Sequence, residues 1–271
     1  MTKSLKKDFG REVKSSFARF LSILLIVALG TAFFSGIKSA TPAMKSSADK
    51  TYDSENMMDI CVQGTLGVTA KDIVEILKIA GVADAEGAYS GDFLCSGHDS
   101  ELVTTVLSLT DRINLVKVTE GRYPEKYNEC IADKLFLEKS GYQIGDTIKL
   151  TMGTDDELSD TLATDEFTIV GVGNTSYYLS DDRGTASIGN GTVDAFLVIP
   201  KEAFTLTAFT KIFVTVNGAS ALNCFSGKYE KLVDSVASNI NTIAETRCNV
   251  RYDEFKNESG ELIDKAETRF E

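Results

Sequence analysis

Catalysis, metal capture and phosphate binding each require particular side chains at particular spacings. The sequence offers few of them. Its single histidine, His98, stands between Gly97 and Asp99, which reads as an exposed turn. A Ser/His/Asp triad through it would want a G-x-S-x-G elbow, and none occurs. The glycine cluster from Gly184 to Gly191 contains no lysine, so it reads as turns rather than as a phosphate cradle ending in Gly-Lys-Ser/Thr. Between Gly153 and Glu166 stand Asp155, Asp156, Glu157, Asp160, Asp165 and Glu166 without one base. Their spacing misses the EF-hand pattern, and a solvated loop is expected. Five cysteines (Cys61, Cys95, Cys130, Cys224, Cys248) form no CxxC pair, which argues against zinc and against a disulfide framework. They are read as small buried hydrophobes. A Cys95–Cys130 or Cys224–Cys248 bridge is the alternative in an oxidising space. No catalytic, cofactor-binding or metal-ligating set is therefore expected.

One constellation reads as a contact surface instead. Tyr177, Tyr178 and Leu179 precede Ser180, Asp181, Asp182 and Arg183. Aromatics beside charges on a loop form a candidate partner-binding tip, with packing at a sheet edge as the competing reading.

The elements that would carry such a loop begin with a span. Phe20 to Ile37 reads FLSILLIVALGTAFFSGI, 18 residues without a charge, or about 27 Å of helix, close to the thickness of a bilayer core. Eleven of these are Leu, Ile, Val or Phe, favouring insertion by about 3 to 7 kcal/mol. The formal net charge of −12 is uneven. Residues 1–19 hold Lys3, Lys6, Lys7, Arg11, Lys14 and Arg19 against Asp8 and Glu12, a balance of +4, so the remainder carries −16. The positive-inside rule puts residues 1–19 in the cytoplasm and the acidic bulk outside. That bulk would repel phosphates, so no nucleic-acid partner is expected. Phe9, Val13, Phe17 and Phe20 recur at helical spacing, as in an amphipathic segment lying on membrane lipid. Thr41-Pro42-Ala43 could pass as a signal-peptide cleavage site. The long n-region containing Asp8 and Glu12 favours a retained anchor.

With 43% hydrophobic and 25% charged residues and only 3 Pro, the outer part should fold. A helical stalk is expected over 38–56, then a strand at Met58–Gly64. A helix follows that is capped by Thr69 and Asp72, carries Ile73, Ile76, Leu77 and Ala80 on one face and closes at Gly81. Strands at Ala83–Tyr89 and Leu102–Leu109 complete a β-α-β-β unit. The middle, Asn114–Leu206, reads as a β-rich insert. Its strands are expected at Leu115–Thr119, Thr147–Thr151, Phe167–Gly173 and Ala195–Ile199, with short helices at Lys134–Lys139 and Lys201–Phe204. Beyond it come a strand at Lys211–Val216, a helix from Ala221 to Ala244, a strand at Cys248–Tyr252 and a helical pattern over 255–271. That last pattern has no stop signal, so the chain is expected to be part of something longer. The fold class is α+β: one transmembrane helix (20–37), a split β-α-β layer within an extracytoplasmic domain (57–254), and the start of a stalk helix.

The blocks LKKDFGREVKSSFARFLSILLIVALGTAFFSGI, TEGRYPEKYNECIADKLFLEKSGYQIGDTIKL, FTIVGVG and TSYYLSDDRGTASIGNGTVDAFLVIP stand in an order that resembles the N-terminal part of an FtsX-like ABC transporter permease with a MacB-like periplasmic core domain. The stretch Gly121–Leu150 is its most specific part. The resemblance implies a porter-like subdomain from residues 58–110 and 209–252, a sabre-like one from 114–206, and a stalk returning to the membrane from 255–271. It further implies a separate ATP-binding subunit as partner, and an exported substrate or an envelope hydrolase or sensor kinase outside. A membrane-anchored sensor or binding domain is the alternative. What the reading frame encodes after Glu271 would discriminate: further spans, a kinase module, or a stop.

Overall fold

The computed structural model describes residues 3–97, 101–178 and 180–270. The chain divides into two compact units, Met1–Lys50 and Thr51–Glu271. Helix α1 (Lys3–Ser15) is followed by α2 (Phe17–Ser54), whose last four residues belong to the second unit. No residue of α2 is buried, and Ile26, Leu29 and Phe33 are 71%, 74% and 71% exposed. A helix greasy on every side suits hydrocarbon rather than water. By length and composition α2 can cross a membrane. Ser22 Oγ donates to Ala18 O at 2.8 Å and Thr31 Oγ1 to Val27 O at 2.9 Å, so neither hydroxyl would meet lipid unpaired. Pro42 costs one backbone hydrogen bond without ending the helix.

The second unit runs β1 (Ile60–Val68), α3 (Ala70–Leu77), β2 (Val82–Ala88), β3 (Ser90–Ser96), β4 (Glu101–Ser108), β5 (Val116–Gly121), β6 (Glu129–Ala132), α4 (Lys134–Ser140), β7 (Thr147–Thr151), β8 (Glu166–Thr175), β9 (Ala195–Ile199), β10 (Phe209–Val216) and α5 (Gly227–Phe270). Strand β10 lies between β1 and β2, antiparallel to each. Thr69 starts α3: its N–H and Oγ1 donate to Asp72 Oδ2 at 2.7 and 2.8 Å, a reciprocal cap that fixes the first turn. Helix α3 contributes Ile76 and α5 contributes Val236 and Ile240 to a core with Val68, Val82, Ile212, Val214 and Val216.

The remaining strands form a sheet in the order β5-β8-β6-β9-β4-β3-β7. Long β8 pairs with β6 along one edge. Along the other it pairs with β7 at Thr168–Glu166 and with β5 at Gly171–Thr175. The β7–β8 pairing closes six strands into a barrel, and β5 lies outside that ring. Strands β4 and β9 are parallel, as are β6 and β8. Alternate residues point inward, so Phe93, Cys95, Leu102, Val106, Cys130, Ile148, Leu150, Phe167, Ile169 and Leu197 fill the interior, with Phe136 from α4. Asp133 caps α4 through Leu135 N–H at 3.2 Å, and Gly141 ends it at φ +80°, a conformation that disfavours a Cβ.

Several sequence expectations need correction. The β-α-β-β unit divides: β1, α3 and β2 stay with β10, but β4 joins the barrel together with the unanticipated β3. Cys248–Tyr252 is helical, inside α5. The Lys201 segment is a single 3₁₀ turn, Lys201–Ala203. None of the five cysteines is joined in a disulfide, so neither alternative bridge is formed. Burial pushes the Cys95 thiol up to about 12, and burial followed by the nearby Cys95 raises that of Cys130 further. His98 and Leu179 lie outside the described residues. Among the described residues no cluster of His, Cys, Asp and Glu could hold a metal ion.

Candidate functional site

The loop after β8 turns most of its chemistry inward. Tyr178 stacks on Phe196 of β9 at 5.2 Å, and Tyr177 meets Tyr178 edge-on at 5.1 Å. Burial raises the Tyr178 hydroxyl to about 12. Arg183 grips Asp133 with two nitrogens, Nε to Oδ2 at 2.9 Å and Nη2 to Oδ1 at 3.1 Å, and lies over the Tyr178 and Phe196 rings at 5.4 Å. The pair is almost fully buried, with side chains 8% and 2% exposed. A bidentate, ring-stacked guanidinium is a fixed strut. Ser180, Asp181 and Asp182 are exposed, and Asp182 Oδ1 accepts Gly184 N–H at 2.9 Å. A cleft of about 560 Å³ opens beside the loop, bounded by Glu55, Lys117, Lys134, Glu138 and Asp181 among others. Of the loop residues singled out in the sequence, Tyr177, Tyr178 and Arg183 are half-buried or packed inward, and Asp181 and Asp182 are exposed.

A second arrangement escaped the sequence. Directly after α2, Glu55 to Met58 is stitched to the crossover that leaves β4. Asn114 N–H donates to Asn56 O at 2.9 Å, Leu115 N–H to Glu55 O at 2.8 Å, and Asn56 Nδ2 to Arg112 O at 2.6 Å. Met58 N–H returns a bond to Asn114 Oδ1 at 2.8 Å. Asn56 and Asn114 adopt φ of 46° and 56°, the left-handed region where asparagine is the best tolerated residue after glycine. The buried Glu55 carboxylate accepts Ser176 N–H at 2.7 Å and its hydroxyl as well, tying the same segment to the Tyr177 loop.

Glu86 joins the two sheets. Its carboxylate, on β2 and 4% exposed, accepts the backbone N–H groups of Asp111, Arg112 and Ile113 at 2.9, 3.0 and 3.0 Å. The Lys201 ammonium follows at 2.6 Å from the turn after β9. Burial alone would raise this carboxyl, but those donors outweigh it and hold it below the usual range. Arg112 adds a bond from Nε to Asp84 Oδ2 at 2.7 Å, and Tyr89 stacks on Phe204 at 5.1 Å and meets Phe209 at a tilt at 5.0 Å. Glu86 amid the small residues of Val82–Ala88 was the available signal: of the two acids in this strand it falls in the run Ala85–Ala88, and a buried charge has to be paired.

On the far side of the three-stranded sheet, α5 is fastened to α3. Arg247 Nε reaches Asp72 Oδ1 at 2.7 Å and Lys71 Nζ reaches Glu254 Oε1 at 2.6 Å. Burial opposes ionisation of Asp72, yet the Thr69 and Arg247 donors lower it overall.

The sequence matches the family described as MacB-like periplasmic core domain over residues 20–225. No curated protein sequence matches. Among solved structures, the chain is similar to the extracellular domain of the noncanonic ABC-type transporter YknZ from Gram-positive bacteria, with 12% identity and a TM-score of 0.38, covering 65% of this chain and 87% of that one. It is also similar to the periplasmic region of MacB from Actinobacillus actinomycetemcomitans, with 12% identity and a TM-score of 0.36, covering 68% and 83%.

Proposed function

The chain belongs to the MacB-like periplasmic core domain family of FtsX/MacB-like ABC transporter permeases, and on that premise we propose that it couples ATP hydrolysis by a separate subunit to movement of its extracytoplasmic domain. The family is a transporter component rather than an enzyme class. Its domain stands outside the cytoplasm on a membrane anchor, and here the anchor is α2.

The observation that carries the reading is the seam after α2. Helix α2 runs unbroken to Ser54, and Glu55–Met58 is immediately bonded to Arg112–Leu115 and to Ser176. Displacement of that helix end would be passed to the crossover after β4 and, through Glu86 and Lys201, to both sheets. Closely packed interiors transmit strain with little loss. The cationic residues 1–19 would face the cytoplasm, where the ATP-binding partner acts. Asp181 and Asp182 are the groups through which the Tyr177 loop would meet an exported substrate or an envelope partner.

The test is co-purification. Full-length protein tagged and extracted from its native membrane should bring down an ATP-binding subunit. Two glycines inserted between Ser54 and Glu55 should leave that association intact while abolishing ATP-driven change at a probe on Asp181. Recovery of no ATP-binding protein would sink the proposal.

A further inference from the structure

A trough runs between β1 and α5, away from the seam and the Tyr177 loop. Val62, Leu66, Ile76, Ile240 and Ile243 give it apolar walls, and Arg247 and Arg251 lie along it. It encloses about 140 Å³, well short of the roughly 300–1,000 Å³ of a pocket for a drug-sized ligand. An alkyl segment fits that size; a bulky ring system does not.

The charged groups lining it are Asp72, Arg247 and Arg251, a local balance of +1 in a chain whose total is −12. Arg247 spends Nε on Asp72, but its Nη2 is buried without a hydrogen-bond partner. Arg251 Nε donates to Leu66 O at 3.2 Å, and its Nη1 lies 4.0 Å from Glu254. A buried guanidinium N–H left unsatisfied is costly, and an anionic oxygen is the partner that relieves it best. An extended peptide is less well served. The pairing of β1 with β10 loses register between Gln63 and Val68, so the backbone beside the trough offers no regular ladder for an added strand.

We propose that this trough binds a single-chain anionic amphiphile of the fatty-acid type, with its alkyl tail among Val62, Leu66, Ile240 and Ile243 and its carboxylate on Arg247 and Arg251. Binding there would clamp α5 against β1, the element through which the chain continues after the three-stranded sheet. The site stands on its own geometry and does not depend on the transport reading.

Octanoate is the probe, titrated into the full chain held in phosphatidylcholine nanodiscs, with the methyl resonances of Ile76, Ile240 and Ile243 followed by NMR. Saturable shifts at these three methyls are expected, with affinity at least about tenfold tighter than for octanol or inorganic phosphate. Arg247→Gln should erase that advantage over octanol. Ala244→Phe should fill the trough and abolish the shifts while the barrel methyls of Ile148 and Ile169 stay in place. No shift with octanoate overturns the proposal. Equal binding of octanol reduces the trough to an apolar crevice, and equal binding of phosphate reduces it to an anion contact; either result also overturns it.

Discussion

Around the barrel, β3, β4, β6, β7, β8 and β9 each have a strand on either side, whereas β1 and β2 each leave one edge of the three-stranded sheet without a strand partner. The interiors differ in kind as well. The barrel is filled by Phe93, Phe136 and Phe167, each at most 1% exposed, while the layer is built on Val and Ile with no fully buried aromatic ring among its described core residues. One region thus holds its shape by closure and large apolar side chains. The other depends on α3, α5 and the ionic clamps that tie it to its neighbour. The closed barrel is the stiffer of the two, and the open layer the more adaptable.

The contrast can be broken most severely at the barrel. Phe167→Ala should cost about 3–5 kcal/mol, whereas Ile240→Ala, near the rim of the layer, should fall at the low end of the range for such truncations, about 2 kcal/mol. Urea unfolding of the two variants checks this, and equal losses would erase the distinction. Next comes the joint. Glu86→Gln removes the charge facing Lys201 and should cost about 3 kcal/mol at neutral pH. Because the folded carboxyl sits below its ordinary value of 4.5, its contribution is complete above that value and is lost as pH falls through the lower folded one. Melting temperatures of wild type and variant should therefore converge in acid; a gap that stays constant would refute the assignment. The smallest effect is at the seam. Asn114→Ala should cost about 1–2 kcal/mol through its left-handed φ and lost side-chain acceptor, and Asn114→Gly should recover the backbone part of it.

Much of the local structure was legible. The Thr69–Asp72 cap, the Ile73–Ile76 face and the strands at Thr147–Thr151 and Ala195–Ile199 follow from spacing over a few residues. The Gly121–Leu150 block also has a visible structural purpose. Arg122 clasps Glu129 with two bonds of 2.8 Å, which, with the Glu125 and Lys126 N–H groups, holds that carboxyl down to about 2. What could not be read is what pairing over long distances decides. Ser90–Ser96 is too rich in Ser and Gly to declare itself, and β6 spans four residues. Val250 and Tyr252 have a strand preference that the helical run of α5 overrides. Inwardness at the Tyr177 loop depends on Asp133 and Phe196, which no local pattern connects to Arg183.

The parallel pairing of β4 with β9 has a consequence for biogenesis. Thr104 finds its neighbour Ala195 only about ninety residues later, a separation that makes such topologies slow to assemble. A chain delivered from its amino end must keep one flank of β4 unclaimed while the intervening segments emerge, and unclaimed flanks invite wrong associations.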